Sequence, residues 1–355
     1  MTTVKLSPAE LPLPPFYNPE NASRWDYEPD QQALLEAAIR WRTEHGIQPA
    51  ALDRIRIHLL LIDLQKDFCF PEGTLYVGGR SGRGAIEDND RIARFIYRNL
   101  GIITGITCTL DTHFPYQIFF PAFWLGPDGA PPRPHQEVTV EDIREGRFRP
   151  NPALADWLAD GDYSWLLRQV EFYCEELART GKYRLYLWPP HVILGSAGHT
   201  LAGVIQEARM FHAYARVAKD WTEVKGTNPL TEYYSALGPE VSRTWDGKVL
   251  EEPNRQFLER LLASDAVIIA GQAASHCVRS TIEDLLTRVE PRLARKVYIL
   301  EDCMSPVAVP DPERPGSFLF DFTPQAEEAL SRFAEAGMHV VKSTEPIESW
   351  LQLEP

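Results

Sequence analysis

Ile57-His58-Leu59-Leu60-Leu61-Ile62-Asp63-Leu64-Gln65-Lys66-Asp67-Phe68 is the stretch that decides the architecture. A short, nearly continuous apolar run ends abruptly in an aspartate. A strand written this way suits a parallel sheet covered on both faces, because neither side of it meets water. The pattern recurs downstream. Ile102 to Leu110 is apolar and β-branched and ends in Asp111, and Tyr183 to Leu187 ends before Trp188-Pro189. Ala266 to Ala270 ends in Gly271, Val297 to Leu300 ends in Glu301-Asp302, and His339-Val340-Val341 is the last. Helical spacing fills the intervals at Asn89 to Leu100, Leu201 to Tyr214, Cys277 to Val289 and Gln325 to Ala336. Upstream, Gln31 to His45 places Leu34, Leu35, Ala38, Ile39 and Trp41 on one broad face. Strands alternating with helices predict an α/β fold of three layers, α/β/α, with a mainly parallel, Rossmann-like sheet. Ligands in such sheets bind outside the carboxyl ends of the strands, so the polar residues there are the candidates for function.

At 355 residues the chain is long for one domain and short for two, which predicts one large core with additions. The expected division is an N-terminal arm and helix over 1–50, a core domain over 51–345 with an insertion at about 125–182, and a tail over 346–355. The Pro/Gly-rich stretch Pro127 to Pro134 and helical material from Asp156 to Thr180 make up the insertion. Hydrophobic residues at 44% and charged residues at 24% are globular proportions. A net charge of −14 repels phosphate backbones and anionic lipid, so neither nucleic acid nor a membrane is an expected partner. No apolar run is long enough to span a bilayer, and Met1 to Pro15 lacks the apolar core of a signal peptide; a cytoplasmic protein is the expectation. The five cysteines (Cys69, Cys108, Cys174, Cys277 and Cys303) are odd in number, widely spaced and free of any C-x-x-C pair, which argues against a disulfide framework or zinc ribbon.

The strand ends carry clusters. Asp63 through Phe68 follows the first strand and Asp111-Thr112-His113 the second. Trp188-Pro189-Pro190-His191 follows the third, and Val224-Lys225-Gly226 reads as a loop with Tyr233-Tyr234-Ser235-Ala236 soon after. Gly271-Gln272-Ala273-Ala274-Ser275-His276-Cys277-Val278 joins a strand to a helix. Each cluster alone has an ordinary structural explanation. Asp63 and Asp111 can be turn or cap residues, His191 a loop histidine, Lys225 a solvated turn lysine, and Cys277 packing at a helix start. His276 adjoins Cys277 but points elsewhere at a helix start, so the two are not read as a dyad. No Gly-x-Gly-x-x-Gly follows the first strand, which disfavours a dinucleotide-dependent dehydrogenase.

Taken in order, Asp, Asp-x-His, Trp-Pro-x-His, Lys-Gly and Cys resemble the isochorismatase-like cysteine hydrolases, most closely the nicotinamidases, from about Ile57 to Val341. The resemblance implies a catalytic triad of Asp63, Lys225 and Cys277. The chemistry is coherent: a helix N-terminus and a nearby ammonium favour the thiolate, while Asp63 accepts the thiol proton and later passes it to departing ammonia. It implies an oxyanion hole from the backbone N–H groups of Ala273 and Cys277, worth roughly 3 kcal/mol per donor. It further implies a cis peptide joining Gln272 to Ala273, substrate contacts from Gln65 and Phe68, and a divalent metal (Zn, Fe or Mn) on Asp111, His113 and His191. Nicotinamidases usually carry another histidine a few residues beyond Asp-x-His; here Phe114-Pro115-Tyr116-Gln117-Ile118-Phe119-Phe120 has none. Three readings follow: nicotinamide hydrolysis to nicotinate and ammonia, hydrolysis of a ureido, carbamoyl or other small amide, or a silent binding protein of the same fold. A homo-oligomer acting on a small-molecule amide is the expected assembly.

Overall fold

A computed structural model describes residues 10–288 and 294–350. Its centre is a six-stranded sheet. In chain order the strands and helices used below are α1 (Gln31–His45), β1 (Ile57–Ile62), α2 (Gly84–Arg98), β2 (Gly105–Asp111), β3 (Gln136–Val138), α3 (Tyr163–Thr180), β4 (Leu185–Leu187), α4 (Gly203–Arg216), β5 (Asp220–Lys225), α5 (Arg255–Leu262), β6 (Ala266–Gly271), α6 (Cys277–Arg288), β7 (Val297–Leu300), β8 (Ala308–Pro310), β9 (Phe318–Asp321), α7 (Thr323–Glu335) and β10 (His339–Val341). The sheet order is β10-β7-β6-β1-β2-β5, with every pairing parallel. This is the three-layer α/β/α arrangement that the strand–helix alternation predicts.

All six residues of β1 are buried, as a strand in the middle of a two-sided sheet requires. Leu59 and Leu61 face the layer formed by α1, α2 and α4, where Ile92, Phe95, Val204 and Ala208 meet them. Leu60 and Ile62 face the opposite layer, where Phe257 of α5, Ile282 of α6 and Phe333 of α7 pack. Helix α1 spans the predicted residues. Asp30 caps it by accepting from the N–H groups of Gln32 and Ala33, and Gly46 ends it in the left-handed conformation. The predicted helix from Cys277 runs to Arg288; Val289 lies outside the described residues, as do residues 351–355 of the expected tail.

Two strand assignments are corrected. Tyr183 to Leu187 reads as a strand of the central sheet, but Leu185–Leu187 pairs antiparallel with Gln136–Val138 in a separate two-stranded ribbon. That ribbon packs with α3 over its own cluster, which includes Trp124, Leu166, Tyr173 and Leu187. Its apolar character comes from this satellite core. The reverse error falls on Asp220–Lys225, read as a loop around Lys225. It is β5, the edge strand beside β2. Its sequence, Asp-Trp-Thr-Glu-Val-Lys, alternates because one face is wet, so a search for apolar runs passes over it. The β8–β9 hairpin also escapes such a search.

The strand order places function. The chain moves from β1 outward through β2 to β5, then returns to the other side of β1 with β6. The direction reverses between β1 and β6, and a crevice opens outside their carboxyl ends. Ile62 at the end of β1 pairs with Gly271 at the end of β6, and Asp111 of β2 pairs with Lys225 of β5. Four separate strand ends therefore bring their terminal residues to one level.

Candidate active site

Asp63 follows β1 directly and turns the chain at φ 48°, a left-handed conformation that aspartate tolerates better than most side chains. Its backbone N–H donates to Thr109 Oγ1 at 3.0 Å, and the Thr109 hydroxyl donates back to the Asp63 carboxylate. The second carboxylate oxygen lies 2.9 Å from Lys225 Nζ. Lys225, last residue of β5 and 4% exposed, also reaches Asp111 at 3.1 Å, donates to the Tyr233 carbonyl at 2.9 Å, and stands 3.7 Å from Cys277 Sγ. Gly226 lets these groups close up: its φ is 83°, and a β-carbon there would collide with the Asp111 carboxylate and the His113 ring. The structure thus brings Asp63, Lys225 and Cys277, predicted from three distant segments, into mutual contact.

Burial and charge oppose each other here. Burial weakens the Lys225 ammonium, but the Asp111 and Asp63 carboxylates outweigh it and hold the amine protonated far above the usual range. Burial pushes the Asp63 carboxyl up against the pull of Lys225, which makes it a stronger base than an exposed aspartate. Burial likewise pushes the Cys277 thiol well up, and Lys225 offsets only part of that shift. The expectation was that the helix N-terminus and the Lys225 ammonium favour the thiolate; burial acts against both. Burial holds Cys277 toward the thiol form, with the Asp63 carboxylate nearby.

The Gln272–Ala273 peptide is cis, as the family resemblance implies. The Ala273 carbonyl accepts from the N–H groups of His276 and Val278, while the N–H groups of Ala273 and Cys277 have no backbone acceptor among the described residues. Two donors are thereby left beside the thiol. His276 does not pair with Cys277; its Nδ1 lies 2.8 Å from the Ser275 hydroxyl.

Asp111, His113 and His191 also converge, with one ligand atom from each within 4.8 Å of the others. His113 Nδ1 lies 3.0 Å from the Gly226 carbonyl and His191 Nδ1 lies 2.7 Å from the Pro189 carbonyl. A carbonyl only accepts, so each Nδ1 carries a proton and each Nε2 is turned toward the shared space. His113 Nε2 faces Asp111 Oδ2 at 3.0 Å, close enough for the nitrogen and the oxygen to be ligands of one cation. Burial pulls His191 down to about 3, so its ring is neutral, the state of a metal ligand. Phe119 and Phe120 stack edgewise on the His113 ring without lining the pocket. The residues present fit a divalent transition metal.

These groups open into a cavity of about 40 Å³. One water needs roughly 10–15 Å³ by this measure, so the space suits a small molecule. Phe68 lines it, together with Val77 and Val307. Gln65 does not. Its side-chain amide donates to the carbonyls of Asp111 at 2.8 Å and His199 at 2.9 Å and accepts from the Asp111 N–H at 2.8 Å, so it braces Asp111 from behind. Sequence reasoning missed the far wall. There Trp188 Nε1 donates to Glu232 and to the Tyr234 hydroxyl, each at 3.0 Å, and burial raises the Glu232 carboxyl well above the usual range. Trp188 and Tyr234 stand out in the sequence, but nothing marks Glu232 beyond its place two residues before Tyr234.

No protein-family model and no curated protein sequence matches the chain. Among solved structures, a nicotinamidase/pyrazinamidase of Acinetobacter baumanii is 18% identical, with 81% of this chain and 97% of that one covered and a TM-score of 0.48. The yeast nicotinamidase bound to the inhibitor nicotinaldehyde is 20% identical over 81% of this chain and 99% of its own, with a TM-score of 0.49. A pyrazinamidase of Pyrococcus horikoshii in complex with zinc is 18% identical over 81% and 99%, with a TM-score of 0.42. In each case the likeness is one of fold.

Proposed function

We propose that this protein hydrolyses a small amide with Cys277 as nucleophile, and that nicotinamide, giving nicotinate and ammonia, is the leading substrate. One observation carries the reading. A thiol at a helix N-terminus, a buried ammonium and a basic carboxylate meet at the switch point of the sheet, beside two backbone N–H groups that have no backbone acceptor among the described residues.

In this mechanism Asp63 takes the Cys277 proton as the sulfur attacks the amide carbonyl carbon. A C–S bond forms, the carbonyl π pair moves to oxygen, and that oxygen rests against the N–H groups of Ala273 and Cys277. Asp63 returns the proton to the amide nitrogen, the C–N bond breaks and ammonia leaves a thioester. Water then adds to the thioester carbonyl while Asp63 takes its proton, and collapse releases the acid and restores the thiol. Lys225 keeps the cluster's charge balanced throughout and holds Asp63 in place. Asp111, His113 and His191 would hold a divalent transition metal, which supplies a Lewis-acidic anchor for a pyridine nitrogen when bound. Phe68 covers one side of the ring.

A ureido or carbamoyl amide is the second reading. The Glu232–Trp188–Tyr234 set favours it, because that wall offers hydrogen bonding a bare pyridine ring does not use. An ammonia-release assay over nicotinamide, benzamide and small ureido acids separates the two. The leading reading expects nicotinamide to be turned over far faster than benzamide, which lacks the ring nitrogen. Preference for a ureido acid overturns nicotinamide and keeps the nucleophile, while ammonia from no amide overturns the hydrolase reading.

A further inference from the structure

Behind the turn that carries Cys277 lies a buried carboxylate that the mechanism does not use. Asp88 of α2 is 1% exposed and does not line the cavity. One of its oxygens accepts from Gln272 Nε2 at 2.9 Å and from Ser305 Oγ at 2.6 Å, and the other accepts from Arg91 at 2.8 Å. Gln272 in turn accepts from the Ser305 N–H at 3.2 Å, and the Ser305 carbonyl accepts from the Ala274 N–H at 2.8 Å. Ser275 Oγ accepts from the Val307 N–H at 3.1 Å. Three segments meet through this network: the start of α2, the β6–α6 turn and the loop after β7. A β-carbon on Gly84 would collide with the Ser305 side chain, so the approach of α2 to that loop depends on glycine.

Burying a carboxylate costs free energy, and its only cationic partner among the described residues, Arg91, is one-third exposed. Apolar residues in place of the whole network would fill the space at lower cost. What the carboxylate supplies is direction: it fixes which way the Gln272 amide faces, and Gln272 and Ala274 bracket Ala273. We propose that Asp88 is a positioning residue that aims the Ala273 and Cys277 N–H groups at the oxygen of a tetrahedral adduct on Cys277. The proposal rests on the reading of Cys277 as a nucleophile toward carbonyl carbon.

Two probes of Cys277 separate this role from general stability. Iodoacetamide alkylates the sulfur by displacement and develops no oxyanion, whereas pyridine-3-carbaldehyde adds to form a thiohemiacetal: the C–S bond forms, the π pair goes to oxygen, and oxygen takes the thiol proton. In Asp88→Asn one accepting oxygen becomes a donating NH₂, so Arg91, Gln272 and Ser305 can no longer all find an acceptor there. Its aldehyde dissociation constant and its kcat for the amide should worsen by about 10- to 100-fold, the loss typical of misdirected oxyanion donors, while alkylation and KM stay within about threefold. Unchanged aldehyde affinity with a lowered melting temperature reduces Asp88 to a structural brace and overturns the proposal. Should Asp88→Asn not fold, Ser305→Ala removes one donor from the same carboxylate and must show the same split in smaller measure, or the proposal fails. A wild-type protein that binds the aldehyde but releases ammonia from no amide rejects amide hydrolysis and leaves the Asp88 comparison decisive. A wild type that binds no aldehyde overturns both.

Discussion

Lys225 holds a positive charge where water barely reaches, and two carboxylates make that possible. Replacing it with methionine leaves Asp63 and Asp111 buried without their ammonium, a change that costs on the order of 3–5 kcal/mol where a buried pair is broken. Lys225→Met is therefore expected to melt at lower temperature and to alkylate with iodoacetamide more slowly near neutral pH, because the one group opposing the burial of Cys277 is gone. Equal alkylation rates in the folded variant would remove Lys225 from the thiol's surroundings. Asp63→Asn keeps the shape of the carboxyl and loses its basicity. Its kcat should fall by roughly 10²–10⁴-fold even at saturating amide, the usual contribution of a positioned base; a change confined to KM would contradict the proton-transfer role. Asp63 and Cys277 were legible because one follows an apolar strand and the other starts a helix, whereas Lys225, read in a loop, was legible only through the family resemblance. Glu232 and Asp88 were not legible, because their roles come from contacts across tens to hundreds of positions, with Trp188 in one case and with Gln272 and Ser305 in the other.

At the scale of elements, β1, β6 and β7 were readable because both faces are buried and the apolar run is unbroken. Strand β5 was not, since one face meets solvent, and β4 was assigned to the wrong sheet because a satellite core demands the same residues as the main one. His191 nevertheless reaches the site, delivered by the loop after β4. Helix α4 offers a test of how its layer packs. His212 is 1% exposed, its Nε2 lies 2.8 Å from the Ile103 carbonyl, and burial lowers its pKa to about 4. A histidine depressed in the folded state contributes stability above its unfolded pKa of about 6.5 and loses it as pH falls toward 4. His212→Gln keeps a donor for Ile103 and cannot titrate. Going from pH 7.5 to 4.5, the wild type should lose roughly 2–3 kcal/mol relative to the variant in denaturant melts. A pH-independent difference would place His212 in contact with water.

Over the whole molecule, the reversal of strand order between β1 and β6 makes a single crevice do two things: it gathers Asp63 and Cys277 on one side and Asp111, His113 and His191 on the other. The candidate ligand set ties β2 to the loop after β4, so an ion bound there would bridge the central sheet and the end of the β3–β4 ribbon. Metal in 100-fold excess over its dissociation constant stabilises a folded protein by about 2.7 kcal/mol. Zinc or manganese should accordingly raise the melting temperature of the wild type and leave His113→Ala unmoved; equal shifts in both would put the ion elsewhere. The claim on which the rest depends is that Cys277 performs the chemistry. Its most direct test is ammonia release from nicotinamide by Cys277→Ala beside the wild type and beside single replacements of Cys69, Cys108, Cys174 and Cys303. The account predicts turnover in the wild type, near-wild-type rates in any of the other four that folds, and a loss on the order of 10⁴-fold or more in Cys277→Ala. A folded Cys277→Ala protein that releases ammonia at the wild-type rate would contradict it.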